Sequence, residues 1–223
     1  MRGTSAFAVH RATNEPVHEW DRAHVWLCDL DAARQLGAPR RFVLSANERA
    51  RADRLRSPLL RRRFVARCML VRHVLGPLVG VSPEALAFET TANGKPRLVP
   101  PVLHFNLSHS ENVLALAVAL DRRVGVDIEV VEPGVDVLAI AEVQFTAGEV
   151  EWLRALPPEQ QQPAFYRLWT REEAISKVSG QGIASPRAAT PSAAALHPFQ
   201  LRLGQTDVIG ALALDPRHEA DRP

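Results

Sequence analysis

The chain has little cysteine and no long apolar segment. Only Cys28 and Cys68 are cysteines among its 223 residues, which is too few for a disulfide framework and gives no zinc-site spacing. Residues 1–16 lack the apolar stretch of a signal peptide, and the longest apolar run, residues 113–120, is far shorter than a membrane span. These absences predict a soluble protein of the reducing cytoplasm, with a core position for Cys68.

Lysine is the second scarce residue. Of the 27 basic residues, only Lys95 and Lys177 are lysines, so arginine supplies the generic positive charge of this chain. A compact ammonium on a flexible stem can follow a transferring phosphate or give up a proton, tasks that suit a planar guanidinium poorly. The two lysines are therefore candidates for a chemical role, with chance as the alternative.

Arginine is concentrated in the first half of the chain. Eleven arginines lie between residues 40 and 72, although the net charge of the whole chain is only +2. The cluster indicates either a solvated helix face or a surface that binds phosphates or an acidic partner, and both interpretations stay open.

Two stretches of the chain share one pattern of helix signals. Ser45 and Thr146 each begin a capping box, Ser-x-x-Glu or Thr-x-x-Glu, which predicts helices over residues 46–55 and 147–155. After a break at a proline, each stretch continues as a long helix. We expect the first to begin near Pro58, to carry arginines and to end at Gly76-Pro77 or shortly beyond. We expect the second to cover residues 162–179, with Gly180 as its C-cap.

The spacing of these signals indicates an internal repeat. The capping residues are 101 residues apart and the two glycines 104 residues apart, and strands follow each long helix. With 46% hydrophobic residues the chain can form one domain or two small halves. We predict an α/β (α+β) fold of two similar halves, residues 1–122 and 123–223, with a site between them.

Several short segments have the pattern of strands. Residues 113–119 and 124–129 are expected to pair as an antiparallel hairpin, with a loop containing Ser108 and His109 at one end of the sheet. The other expected strands are residues 25–30, 87–89, 199–203 and 208–214.

The acidic strand is the centre of the sequence. Within residues 124–129, Asp127 and Glu129 project from one side while Val126 and Ile128 are buried on the other. Paired carboxylates suit Mg²⁺, which takes one or two protein carboxylates and leaves its other positions to water and substrate phosphates. The alternative is an ordinary solvated strand face.

The second long helix carries another pair of charged residues. Glu173 and Lys177 are four residues apart and therefore neighbours at the rim of an apolar face. An ordinary helix-surface ion pair is the alternative interpretation. Glu172 is less typical, because it projects toward the middle of the apolar face.

Four motifs together resemble those of the 4′-phosphopantetheinyl transferases of the surfactin-synthetase-activating type. They are Gly-Lys-Pro at residues 94–96, Phe-Asn-Leu-Ser-His-Ser at 105–110, Gly-Val-Asp-Ile-Glu at 125–129 and the helical segment 169–177. The resemblance implies two similar α/β halves that form a pseudo-dimer and bind coenzyme A between them as a magnesium complex. It implies transfer of the phosphopantetheine arm to a serine of an apo acyl or peptidyl carrier protein, with release of adenosine 3′,5′-bisphosphate.

The same resemblance implies roles for individual residues. By motif position the metal-binding acids would be Asp127, Glu129 and Glu173, and the catalytic residues would be Glu173 and Lys177. Lys95, Ser108 and His109 would contact the phosphates of coenzyme A. The basic residues near the nucleotide would be Arg63 and, less directly, Arg51. The base that takes the serine proton is either Glu173 or a metal-bound water, and Lys177 would stabilise the leaving oxygen.

One residue departs from the family pattern. Glu172 stands where the family commonly has lysine, and so adds negative charge next to the metal site or points away from it. The alternative function is a non-catalytic relative that docks an acidic carrier without modifying it. A nucleic-acid module is disfavoured, because the basic stretch lacks interleaved aromatics. We expect a monomer that binds neither nucleic acid nor membranes.

Overall fold

A computed structural model describes residues 18–20, 23–32, 43–91, 94–179 and 194–216. The strands are β1 (His18–Trp20), β2 (Ala23–Asp29), β3 (Ala87–Thr90), β4 (Pro96–Val99), β5 (His104–Ser110), β6 (Val113–Ala119), β7 (Val124–Val130), β8 (Ala195–Leu203) and β9 (Thr206–Leu214). The helices are α1 (Ala46–Arg54), α2 (Pro58–Leu78), α3 (Val137–Gln144), α4 (Ala147–Ala155) and α5 (Pro158–Ser179), with a short 3₁₀ turn at Pro83–Ala85.

Two antiparallel sheets pack face to face between two long helices. The first has the strand order β1-β2-β6-β5 and the second β7-β9-β8, while β3 and β4 form a separate hairpin. All seven residues of β6 are buried. Such a continuous apolar run is typical of a strand that is covered on both faces.

The two faces of β6 contact different parts of the core. Leu114, Leu116 and Val118 pack with the apolar side of α2, whereas the alternate residues pack with β7 and β9 of the second sheet. On the far side of the second sheet, Ala174 and Val178 of α5 contact β9. The layers are therefore α2, first sheet, second sheet and α5, which confirms the predicted mixed α/β class.

Both predicted capping boxes form. The Glu48 N–H donates to Ser45 Oγ while the Ser45 N–H donates to the Glu48 carboxylate at 2.7 Å, and Thr146 and Glu149 make the equivalent pair. The helices that follow end at Arg54 and Ala155, close to the predicted bounds.

The first long helix ends at Leu78, shortly beyond Gly76-Pro77 as predicted, but Gly76 is not its terminal residue. Gly76 lies inside α2, and Gly80 is the residue with a left-handed backbone, φ +73°. A Cβ on Gly76 would lie 2.9 Å from the Val81 carbonyl oxygen, so close packing of the following turn is what requires glycine there. Gly180 lies outside the described residues.

The predicted hairpin of residues 113–119 with 124–129 is wrong. β6 pairs with β2 and β5 on its two edges, and β7 pairs with β9. The true hairpin joins β5 to β6 through a turn in which Glu111 has φ 51°. Because both edges of β6 are already paired, β7 continues into the second sheet.

The prediction of a loop around Ser108 and His109 is also wrong. Both residues lie within β5, opposite Ala115 and Leu114 of β6. Alternation of Asn, Ser and Ser with more apolar residues resembles a polar loop in the sequence. In the structure these side chains face β7, with Asn106 and Ser108 buried and Ser110 half-buried, and so satisfy the strand period.

Some elements were not predicted from the sequence, and one helix is longer than predicted. The helix α3 and the strand β4 were not expected, and α5 begins at Pro158, four residues before the predicted start. No helix in the described ranges combines the length and hydropathy needed to cross a bilayer. The pseudo-dimer and the division into residues 1–122 and 123–223 stay predictions.

Candidate functional site

Asp127 lies in β7 at the junction with β5. Its Oδ1 accepts a hydrogen bond from the Ser108 hydroxyl at 2.7 Å and forms an ion pair with the Lys177 ammonium at 2.6 Å. The residue is only 4% exposed, and burial, partly offset by Lys177, raises the pKa of its carboxyl. A carboxylate in this position is therefore held by one cation and one hydroxyl.

Lys177 projects from α5 across to β7. Its ammonium contacts three acceptors: Asp127 Oδ1, Ser108 Oγ at 3.1 Å and the Val126 carbonyl at 3.2 Å. The ion pair is thus made to the neighbouring strand, which the spacing of Glu173 and Lys177 along the helix does not reveal. All three donors of the ammonium are engaged.

Close approach of α5 to β7 makes this contact possible. A Cβ on Gly125 would lie 2.1 Å from the Ala174 carbonyl oxygen and 2.8 Å from the Val178 nitrogen. Only glycine admits the helix backbone at this distance. The glycine of the acidic motif is therefore a packing requirement that brings Lys177 to Asp127.

Glu129 and Glu173 complete the acidic group. The Ser110 hydroxyl donates to Glu129 Oε2 at 2.7 Å, and the Trp169 side chain also hydrogen-bonds to this carboxylate. Burial raises the pKa of both glutamates, and the charge of Asp127 raises each further. The structure therefore brings all three sequence-predicted acids within electrostatic reach of one another.

The donor set is compatible with a hard cation. Asp127 Oδ2 is buried and has no hydrogen-bond partner among the described residues, and the mutual repulsion of the three carboxylates would be relieved by positive charge. Across these residues, no group of three or more His, Cys, Asp or Glu side chains is arranged so that it could hold a metal by itself. One or two carboxylates with substrate oxygens are the mode that Mg²⁺ prefers.

A cavity of about 870 Å³ adjoins the acidic group. Its lining includes Ser108 and Lys177, the two residues bonded to Asp127, and it continues between β5, the β3–β4 hairpin and the helices α1 and α2. The cationic side chains of the lining are Arg51, Arg67, Arg72, Lys95 and Lys177. Glu48 is the one acid among the described lining residues, and it is paired with Arg72 at 2.9 Å, so the cavity favours an anionic ligand.

Lys95 lies in the cavity wall, and its ammonium contacts backbone. It donates to the Lys177 carbonyl at 3.1 Å and to the Val124 carbonyl at 3.4 Å. Burial, with the charges of Arg123 and Lys177, lowers its pKa to about 8. Lys95 therefore links the β3–β4 hairpin to the start of β7 and the last turn of α5.

His109 and Arg51 also line the cavity. Burial lowers the pKa of His109, and the charges of Arg67 and Lys177 lower it further, so the neutral imidazole is favoured. The Arg51 guanidinium lies 5.3 Å from the centroid of the Phe64 ring, and that of Arg67 lies 5.1 Å from it. The ring thus orients two cations at the cavity wall.

Arg63 is placed elsewhere. It forms a bidentate pair with Asp31 at 3.0 and 2.6 Å and donates to the Glu111 carbonyl, and it does not belong to the cavity lining. One turn further along α2, Arg67 faces the cavity. The predicted nucleotide role of Arg63 stays a prediction, and the geometry makes Arg67 the better candidate.

Several residues of the site were not selected from the sequence. Arg67 and Arg72 were counted only within the arginine cluster, and Ser110 and Asn106 only within the family motif. The helical spacing of Phe64, Cys68 and Val71, which line the cavity, could have indicated Arg67 as their neighbour. Glu172 lies 3.7 Å from Arg171, so its added charge is next to a cation of its own helix.

Comparison with known proteins identifies the family. A family model for the 4′-phosphopantetheinyl transferase superfamily matches residues 123–209, which include the acidic strand and α5. The 4′-phosphopantetheinyl transferase HetI from Nostoc sp. is 40% identical over 168 residues, covering 74% of this chain and 71% of HetI. The chain belongs to the 4′-phosphopantetheinyl transferase superfamily.

Other members of the superfamily align over shorter shares. A 4′-phosphopantetheinyl transferase from Bacillus pumilus is 41% identical over 159 residues, 70% of this chain and 66% of the relative. The 4′-phosphopantetheinyl transferase AcpT from Escherichia coli K12 is 40% identical over 121 residues, 54% of this chain and 58% of the relative. The predicted family and enzyme class, 4′-phosphopantetheinyl transferase, are confirmed. The assigned role of each site residue stays a prediction.

Proposed function

We propose that the protein transfers the 4′-phosphopantetheine arm of coenzyme A to a serine of an apo carrier protein and releases adenosine 3′,5′-bisphosphate. The observation that carries this proposal is the cavity with five cationic side chains, whose wall includes both residues bonded to Asp127. A polyanionic co-substrate bound there would have its phosphates next to the acidic group.

The cavity suits coenzyme A in size and charge. Its volume falls within the roughly 300–1,000 Å³ common for ligand sites. Arg51 and Arg67 present guanidinium groups, which bind phosphate through two parallel hydrogen bonds. His109, whose lowered pKa favours a neutral ring, can donate to a phosphate oxygen without adding charge.

Asp127, Glu129 and Glu173 are the residues that would hold Mg²⁺ with the phosphates of coenzyme A. A bound Mg²⁺ supplies neutralisation of phosphate charge and electrostatic stabilisation of the transition state. Ser108 and Ser110 fix the orientation of the first two carboxylates, and Lys177 limits the negative charge of Asp127 before the ligand binds.

The transfer step exchanges one phosphorus–oxygen bond for another. The carrier serine oxygen attacks the phosphate that bears the pantetheine arm, and the bond to the bridging oxygen of the diphosphate breaks. Glu173, made more basic by burial and by Asp127, accepts the serine proton. All three donors of the Lys177 ammonium are already engaged, so Lys177 stabilises the leaving oxygen through its positive charge and not through a hydrogen bond of its own.

The carrier would be an acidic protein that approaches the arginine-rich surface of α1 and α2. Arg51, Arg54, Arg61 and Arg62 are exposed there. Opposite charge accelerates association and orients the encounter complex. We place the protein in the cytoplasm as a monomer, since one chain supplies every residue of the site.

The test is the intact mass of an apo carrier protein after incubation with this protein, coenzyme A and Mg²⁺. We expect a gain of one phosphopantetheine that requires Mg²⁺ and is lost with Asp127→Ala. Asp207→Ala removes an exposed acid from β9 and is the matched control that keeps activity. Coenzyme A binding without modification of fatty-acid, polyketide or peptide carriers would instead show a non-catalytic docking protein.

A further inference from the structure

The strands β5 and β7 run parallel, yet side chains join them instead of a backbone ladder. Three backbone N–H groups of β7 donate to side-chain oxygens of β5 at 3.0, 3.3 and 3.0 Å: Val126 to Asn106, Ile128 to Ser108 and Val130 to Ser110. The residues of each pair are 20 apart in sequence, so this side-chain ladder has a constant register.

Each serine hydroxyl of the side-chain ladder makes two kinds of contact with β7. Ser110 Oγ accepts from the Val130 N–H and donates its own proton to Glu129 Oε2 at 2.7 Å. A hydroxyl has one proton, and the backbone donor occupies one of its lone pairs. The orientation of the hydroxyl is therefore fixed, with its proton directed at the carboxylate.

Ser108 serves Asp127 in the same way but has a further partner. Its oxygen accepts from both the Ile128 N–H and the Lys177 ammonium while its proton goes to Asp127. Ser110 is not a lining residue of the cavity and makes no hydrogen bond to Lys177 among the described residues, so its substitution acts on Glu129 and on the Val130 N–H without disturbing Lys177. It is the cleaner test of the side-chain ladder.

Glu129 is held from two directions. The Ser110 hydroxyl binds one of its oxygens, and the Trp169 side chain on α5 also hydrogen-bonds to the carboxylate. Trp169 is fixed in turn by Phe165, whose ring is stacked on it at 5.9 Å between centroids. A carboxylate restrained by a strand and a helix has few rotamers left to lose on binding a cation.

We propose that Ser110 is a positioning residue that orients Glu129 for the divalent cation of the reaction. The inference rests on the proposed function and extends it to a residue that does not itself touch the cation or coenzyme A. Loss of an outer-shell partner of a metal ligand typically weakens metal affinity about 10–100-fold. We expect a loss in this range when the Ser110 hydroxyl is removed.

The experiment compares Ser110→Ala with Ser110→Thr, which keeps a hydroxyl, and with Ser82→Ala. Ser82 is exposed and its side chain caps no helix, so it is a matched control for the loss of a surface serine. Binding of Mn²⁺ in the presence of coenzyme A is measured by electron paramagnetic resonance. The Mg²⁺ dependence of carrier modification and the thermal unfolding of each variant are measured in parallel.

The expected result is Mn²⁺ binding weakened about 10-fold or more in Ser110→Ala, with activity largely restored at high Mg²⁺, and near-normal binding in Ser110→Thr and Ser82→Ala. Unchanged cation affinity in a folded Ser110→Ala protein would overturn the inference, even if its unfolding temperature fell. A wild-type protein that bound no cation would overturn the metal role in the proposed function. The two failures are therefore distinguishable.

Discussion

The two lysines of the chain differ in what their ammonium groups contact. Lys177 has one carboxylate among its partners, whereas Lys95 contacts two backbone carbonyls and no acid within the described part of the chain. The first arrangement places a fixed positive charge beside Asp127. Lys95 instead connects three elements, and its pKa is lowered. We therefore expect the two lysines to respond differently to substitution and to pH.

Replacing Lys177 is expected to lower the rate more than coenzyme A binding. In Lys177→Met, loss of the charge near the leaving oxygen should reduce carrier modification by about 100–1,000-fold. Lys177→Arg should recover little, because a planar guanidinium cannot reproduce the three contacts of the ammonium. Steady-state kinetics and coenzyme A calorimetry measure the two effects separately. Near-normal turnover with unchanged coenzyme A uptake would disprove the leaving-group role.

Lys95 makes stability depend on pH. Its pKa of about 8 in the folded protein lies below the value of 10.5 for a free lysine, so between these values the unfolded chain binds more protons. The free energy of unfolding contributed by Lys95 therefore rises with pH across this window. Between pH 7.5 and 9.5 we expect wild type to gain on the order of 1–2 kcal/mol relative to Lys95→Met.

Urea unfolding of both proteins at the two pH values measures this gain. The buried thiols have the opposite pH dependence, because burial raises the pKa of Cys28 and Cys68 to about 11. They are present in both proteins and cancel in the difference. A difference between wild type and Lys95→Met that stays constant with pH would contradict the lowered pKa.

At the scale of elements, the contact of β7 with α5 determines the site. Gly125 lets the backbone of the helix approach the strand, and Lys177 then crosses to Asp127. At the edge of β7 that is not paired with β9, the serines of β5 hold the carboxylates. The acidic strand is thus restrained on both sides by elements that are distant in sequence.

Gly125→Ala should destabilise the protein strongly. The added Cβ would collide with backbone atoms of Ala174 and Val178, which cannot move without shifting α5, so we expect a loss of about 3 kcal/mol or more. Gly148→Ala is the matched control: nothing lies within 4 Å of its Cβ and it is in the first turn of α4, so we expect a gain of about 0.5–1 kcal/mol. Denaturant unfolding measures both, and similar stabilities would contradict the close packing.

Local signals in the sequence predicted local structure well. The capping boxes at Ser45 and Thr146 gave two helices nearly to the residue, since the cap is made by residues three apart. The pairing of β6 and β7 was mispredicted because neighbouring strands usually pair, and the sequence does not show that β2 and β5 occupy both edges of β6. Competition between partners distant in sequence decides such pairings.

For the site too, the sequence predicted local features but not contacts between residues distant in the chain. Asp127 and Glu129 share a face because of the strand period, which is a local property. The pairing of Lys177 with Asp127 spans 50 residues and depends on how α5 crosses β7, so residue spacing alone suggested a partner on the same helix. Arg67 replaces Arg63 at the cavity for a comparable reason, because the rotation of α2 on the sheet is set by tertiary packing.

At the scale of the molecule, both cysteines are buried, so the reactivity of their thiols reports on the stability of the whole fold. Cys28 lies in β2 beneath α2, and Cys68 packs with α1 and also lines the cavity. With pKa values of about 11, only about one thiol in a thousand is ionised at pH 8. Modification by a disulfide reagent should therefore require opening of the structure.

The expected result is almost no thiol reaction in the native protein at pH 8 and two thiols after denaturation. Absorbance of the released thiolate measures both, and Cys28→Ala assigns any partial signal. Coenzyme A in the cavity should slow modification of Cys68 further. Rapid reaction of either thiol in the native protein would contradict its burial.

The side-chain ladder between β5 and β7 also makes the two sheets unequal in their tolerance of sequence change. A backbone ladder accepts almost any side chain, because the peptide groups supply its hydrogen bonds. Here the donors of Val126, Ile128 and Val130 depend on the particular residues of β5. In a saturation library, positions 106, 108 and 110 should admit only short hydrogen-bonding residues, whereas the alternate position 107 should accept a broad apolar set.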